Sequence, residues 1–172
     1  MRMASEKNKK TVFDIDGTLV DNISKELSSR LRTDTSGARL FSEFVYNLMH
    51  LTPHHSSKVI LRKPEFDDKI VAMLRRSAGN AEVRTRSNFR DLEQIRTALS
   101  EIGIEPIITR VKSSDKLLSG DGPVTLVEDT PLNALISVSK HKAADAIIVP
   151  RPYNRILGKL AAVLSRRIRV LD

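Results

Sequence analysis

The chain of 172 residues contains no cysteine. That excludes a disulfide scaffold, a thiolate metal site and a cysteine nucleophile. Aromatic residues are scarce, five Phe and two Tyr, which is thin material for the base-stacking platforms of a single-strand nucleic-acid binder. No apolar run approaches the ~20 residues of a membrane span. The opening MRMASEKNKK is polar, unlike a secretory signal. The expectation is a cytoplasmic protein with no membrane partner. The length suits one domain, or one core with a modest insertion, able to bury roughly 70% of its unfolded surface without a covalent staple. There is no internal repeat and no low-complexity segment.

What the chain has in excess is positive charge. Lys and Arg number 29 against 21 Asp and Glu, a formal net charge of +8. Such a surface attracts phosphate in general, from phosphosugars and nucleotides to nucleic acid. The basic residues form small clusters (Lys7 to Lys10, Arg75–Arg76, Arg84 to Arg90, Arg166 to Arg169) rather than one block. Most of this charge reads as solvated surface, with tracking of a polyanion such as nucleic acid the lesser reading.

Hydrophobic spacing predicts strands at Thr11–Asp16, Ala81–Thr85, Glu105–Val111, Pro123–Val127 and Ala146–Val149. Helices are expected at Ala38–Leu51, Asp67–Ser77, Asn88–Ile102, Ser113–Ser119, Leu132–His141 and Tyr153–Leu164, with Val59–Leu61 a short strand or loop. Alternating strands and helices predict an α/β fold, a Rossmann-like three-layer αβα core with a mostly parallel sheet. Ligands of such sheets bind outside the carboxyl ends of the strands.

Acidic residues stand at those ends. Asp14 and Asp16 close the first strand before Gly17-Thr18, and Glu128 and Asp129 close the fourth. Clustered carboxylates repel unless a cation joins them. A hard divalent ion with oxygen ligands, Mg²⁺ above all, answers that need, and commonly brings a substrate phosphate with it.

The string Val12 to Asn22, VFDIDGTLVDN, resembles the first motif of the haloacid dehalogenase superfamily of phosphatases and phosphotransferases. The family's other elements follow in order: Thr85-Arg86-Ser87 at the end of the second strand, a Lys before the last acidic motif, and Val127 to Asn133 as that motif. The resemblance implies that Asp14 is the nucleophile, forming an aspartyl-phosphate. It implies that Asp16 is the general acid and base. Asp14, Asp129 and the Asp16 carbonyl would hold Mg²⁺, with Glu128 acting through water. Thr85 would bind the phosphoryl oxygens, with Gly17, Thr18 and Arg86 beside it. The lysine is Lys112, preferred for its spacing, or Lys116. An acid common in relatives four residues after Asp129 is replaced by Asn133.

The resemblance also implies a cap over the site, residues 21–63, on a core of 1–20 and 64–172. That cap is small, with one good helix whose apolar residues are Leu40, Phe41, Phe44, Val45, Leu48 and Met49. His50, His54 and His55 near its end read as surface histidines: His50 and His54 have zinc-like spacing, but no third ligand is evident and Pro53 interrupts the helix. Val149 to Arg155, VPRPYNR, is similar to the deoxyribonucleotidase-like branch of the superfamily and tilts the substrate toward nucleotides. Read without that resemblance, it is a strand-to-helix turn with Asn154 as cap; Arg151 and Arg155 are long enough to reach a phosphate, and the sequence places neither. The expected activity is Mg²⁺-dependent phosphomonoester hydrolysis. The rivals are a polynucleotide-end phosphatase and a non-catalytic protein of this fold that binds nucleic acid or a partner.

Overall fold

The computed structural model describes residues 9–20, 36–51, 66–77, 79–86, 89–112 and 115–172. Among these are six strands and five helices, in the order β1 (Lys10–Phe13), α1 (Ser36–Leu51), α2 (Asp68–Arg76), β2 (Ala81–Thr85), α3 (Phe89–Glu101), β3 (Ile107–Arg110), β4 (Val124–Glu128), α4 (Pro131–Lys140), β5 (Ala144–Ile148), α5 (Arg155–Leu164) and β6 (Ile168–Val170). The strands form one parallel sheet in the order β3-β2-β1-β4-β5-β6.

Alternation along the strands makes two cores, because successive side chains point to opposite faces. Phe13, Val83, Val127 and Val149 pack with Ile70 and Leu74 of α2 and Ile95 and Leu99 of α3. Val12, Leu126 and Ile148 pack with Ala134 and Val138 of α4 and Ala161 of α5. Helices on both faces give the three layers expected. No helix among the described residues is long and apolar enough to cross a membrane.

Four expectations need correction. β1 ends at Phe13, so Asp14 and Asp16 lie on the loop leaving the sheet rather than in the strand. The final helix starts at Arg155, not Tyr153. A sixth strand, too short to show a period, follows it. The helix expected at Ser113–Ser119 does not form in the described stretch 115–120. There the Asp115 carboxylate accepts from Leu117 N–H and Asp121 from Leu118 N–H. Such local bonds satisfy the backbone outside a helix.

Val20 and Phe66 pair as an isolated antiparallel bridge, and Asp67 N–H donates to the Leu19 carbonyl. The chain therefore leaves and rejoins the core at adjacent points. From the intervening stretch α1 packs on α4 and α5. Its faces are the reverse of those the pattern suggested. Phe41, Phe44 and Leu48 are exposed, while Glu43 and Asn47 are buried. The reason is electrostatic: the Glu43 carboxylate accepts from the Ile156 and Leu157 N–H groups at 2.9 and 3.0 Å. These are unsatisfied donors at the positive end of α5. Arg39, beside Glu43, donates to the Pro152 carbonyl. The side chains of His50, His54 and His55, and Val59–Leu61, lie outside the described residues.

Candidate active site

The site is built where β1, β2 and β4 end. Asp14, on the first residue past β1, is tied to β4 by its N–H, which donates to the Val127 carbonyl. Its side chain is buried, and Lys116 Nζ donates to Asp14 Oδ1 at 2.5 Å. Carboxylate oxygens of Asp14, Glu128 and Asp129 lie within 4.8 Å of one another. Thr85, fully buried, ends β2, with Arg86 half-buried after it. Asp16 is half-buried and bridges to Val20 through its backbone.

Burial opposes the ammonium of Lys116, but Asp14 and Glu128 outweigh it and raise its pKa, so it stays charged. Burial, then the Asp14 and Asp129 charges, push Glu128 well above the ordinary carboxylate range. Burial and Asp14 push Asp129 up to about 6, although Tyr153 and Thr18 donate to it. One lysine does not compensate three buried carboxylates. Glu128 Oε2 and Asn133 Oδ1 are moreover buried without a hydrogen-bond partner. A hard dication would relieve the repulsion and use oxygen ligands alone, so the donor set fits one.

The lysine preference is corrected. Lys112 is exposed, whereas Lys116 is buried against Asp14. Lys116 is set in place by its neighbours. The buried Arg84 guanidinium donates to the Lys116 carbonyl at 3.0 Å and pairs with Glu82 and Asp121. On the other side Asp115 accepts from Ser137 and pairs with His141. Lys116 therefore sits on an irregular loop pinned at both ends.

The structure places Arg151, which the sequence left unplaced. Its guanidinium is buried and donates to the Gly17 and Thr18 carbonyls at 2.6 and 2.7 Å and to Asp67 Oδ2 at 2.8 Å. Asp67 Oδ1 meanwhile caps α2 through Lys69 and Ile70 N–H. Arg151 thus clamps the first acidic loop to α2 and is not free to bind phosphate. Arg155 is exposed. Asn154 stands at the N-cap of α5 without capping it by side chain. Its amide donates instead to the Asp129 and Val149 carbonyls. Tyr153 Oη donates to Asp129 Oδ2 at 2.7 Å, and Thr18 Oγ1 donates to Asp129 Oδ1 at 3.1 Å. Both oxygens of Asp129 are aimed by protein donors. The Tyr153 ring packs on Tyr46 of α1, centroids 4.6 Å apart.

Gly17 shows how tight the loop is. Its φ is +80°, and a Cβ there would overlap Asp129 Oδ2 and Tyr153 Oη. The backbone at Gly17 approaches Asp129 closely, and Thr18 donates to Asp129. Sequence reasoning missed Tyr153, Asn154 and Arg84 as supports. The run after β5 offered a signal, since Arg151, Tyr153 and Asn154 are polar and follow a strand that ends at the sheet's carboxyl side.

No known family's sequence pattern matches the chain, and no curated protein does. Three solved structures are similar. One is a hydrolase of the haloacid dehalogenase family IA, variant 3, from Entamoeba histolytica, with 13% identity, 95% of this chain and 92% of that one covered, and a TM-score of 0.49. Another is a conserved haloacid dehalogenase-like protein of unknown function from Agrobacterium tumefaciens, with 16% identity, 91% and 99% covered, and a TM-score of 0.43. A third is the haloacid dehalogenase domain of an effector protein from Legionella pneumophila, with 14% identity, 95% and 85% covered, and a TM-score of 0.38. The chain's own residues define the class: a parallel α/β sheet with DIDGT leaving β1, Thr85 ending β2, Lys116 on Asp14 and an acidic pair at the end of β4. These are the positions at which the sequence resembles the superfamily, and the fold gathers them in one place.

Proposed function

We propose that the protein hydrolyses phosphomonoesters through a phosphoryl group carried on Asp14. The observation that supports this most is the Lys116–Asp14 pair inside a buried group of three carboxylates at the strand ends. A buried carboxylate is a useful nucleophile toward phosphate only where cations offset its charge. Asp14, Asp129 and the Asp16 carbonyl would hold a divalent ion, Mg²⁺ by the oxygen donor set, with Glu128 and Asn133 behind it. The ion would supply charge neutralisation for the phosphoryl oxygens.

In the first step an Asp14 oxygen bonds to phosphorus as the ester P–O bond breaks. Asp16 gives its proton to the leaving alkoxide. In the second step Asp16 takes a proton from water, whose oxygen bonds to phosphorus as the bond to Asp14 breaks. Inorganic phosphate leaves, and both side chains return to their starting states. Lys116 and Thr85 donate to the phosphoryl oxygens throughout. A nucleotide is the finer reading of the substrate, and it rests on the Pro152-Tyr153-Asn154 resemblance alone.

The test is phosphate release from nucleoside monophosphates, sugar phosphates and a 3′-phosphorylated oligonucleotide, with Mg²⁺ and with chelator. Metal-dependent release from any of them supports the reading. No release by folded protein with Mg²⁺ contradicts it.

A further inference from the structure

Parallel sheets are ordinarily covered on both faces by apolar contacts. Here the α2–α3 face departs from that at its amino-terminal end. Thr11, Thr125 and Asp145 stand side by side in register on β1, β4 and β5, and Arg169 of β6 lies beside Ile147 in the next row. A cavity of about 580 Å³ lies over them. It is the length of β4 away from Glu128 and the catalytic acids, at the opposite end of the strands.

Its walls carry Lys9, Arg76, Arg166, Arg167 and Arg169 against one acid, Asp145. Two of these cations have internal partners. Lys9 pairs with Asp145. Arg167 donates to the carbonyls of Val138, His141, Lys142 and Ala144 and so closes the end of α4. The other three are not neutralised. Arg76 is exposed and uses only Nε, on the Ala72 carbonyl. Arg166 and Arg169 are exposed and donate to no group among the described residues. Three arginines thus line the cavity together with Thr11 and Thr125, and no aromatic residue lines it.

Guanidinium forks match phosphate oxygens, and the lack of a ring leaves nothing on which a base could stack. The volume falls within the roughly 300–1,000 Å³ of small-ligand sites. We propose that this cavity is a second anion site, which takes a soluble ligand with two or three linked phosphate groups and recognises the phosphates rather than what they carry. The site is independent of the proposed hydrolysis.

The experiment is calorimetric titration of the full chain with tripolyphosphate in the presence of chelator. Without a cation the catalytic acids repel the probe, so the heat reports on the far end. One site is expected, weakened at least tenfold in Arg166→Glu/Arg169→Glu and changed less than twofold in Arg110→Glu/Lys159→Glu. The second pair makes the same change in net charge at exposed positions elsewhere. Should the first pair not fold, Arg166→Gln/Arg169→Gln set against Arg110→Gln/Lys159→Gln gives the same comparison. No heat with the unaltered chain, or equal weakening by both pairs, overturns the proposal. So does binding of a single-stranded oligonucleotide through Arg166 and Arg169 where tripolyphosphate does not bind.

Discussion

Arg84→Met tests how Lys116 is held against Asp14. Arg84 is 1% exposed on β2. It bonds Glu82 Oε2 at 2.8 Å, both carboxylate oxygens of Asp121, and the Lys116 carbonyl. Burial alone would raise the Glu82 pKa, but Arg84 and Lys10 bring it from 4.5 to about 2. Asp121 falls from 3.8 to about 2, mainly through Arg84. A pKa unit corresponds to about 1.4 kcal/mol, so each carboxylate contributes about 2–3 kcal/mol. The two share one guanidinium, and Lys10 remains to pair with Glu82. The loss in Arg84→Met is therefore about 3 kcal/mol at pH 7, the low end for breaking a buried pair.

The pH dependence has a definite sign. A carboxylate whose folded pKa is depressed stabilises the fold fully above its unfolded pKa and loses that contribution as pH falls through its folded pKa. The window here runs from about 4.5 down to about 2. Urea unfolding of the parent chain should show this loss between those values. In Arg84→Met the curve should be flatter across the same window, because the carboxylates are no longer held low. A loss under 1 kcal/mol at pH 7, or an unchanged pH profile, would refute the reasoning.

Lys116→Met should lower kcat at least a hundredfold, about 3 kcal/mol of lost transition-state stabilisation, while Lys112→Met stays within about twofold because its side chain is in solvent. Phosphate-release kinetics of the two variants decide it. Gly17→Ala should lose activity at least tenfold, since the added Cβ displaces Asp129 or Tyr153; its circular dichroism should stay that of the parent. Tyr153→Phe removes one donor from Asp129. It should weaken Mg²⁺ activation by about 10–100-fold, the usual effect of removing a partner of a metal ligand, which a metal titration at saturating substrate would measure.

Much of the fold was legible because buried parallel strands read as short apolar runs. Val12-Phe13, Val83 and Val124 to Val127 carry that signal, and each leads into the residues of the candidate site. Asp14, Glu128 and Asp129 could be placed from strand ends, and Thr85 from the resemblance. The lysine could not. Its spacing was counted from a helix that Asp115 and Asp121 prevent by taking the backbone donors of Leu117 and Leu118. α1 misled for a related reason. Its apolar residues follow helical spacing, but the buried side is chosen by Glu43, which serves the N-terminus of a helix more than a hundred residues later in the chain. Pairings of that separation leave no local period. The Arg151–Asn154 turn was visible as a string, yet only the folded chain shows its side chains pointing back at Gly17, Thr18 and Asp129.

The central claim is that Asp14 carries the phosphoryl group. The most direct measurement is peptide mass spectrometry of acid-quenched protein during turnover of its best phosphomonoester. The account predicts the added mass of one phosphoryl group on the peptide holding Asp14, and neither that mass nor turnover in Asp14→Asn. Turnover without phosphorylation of Asp14, or full activity in Asp14→Asn, would contradict it.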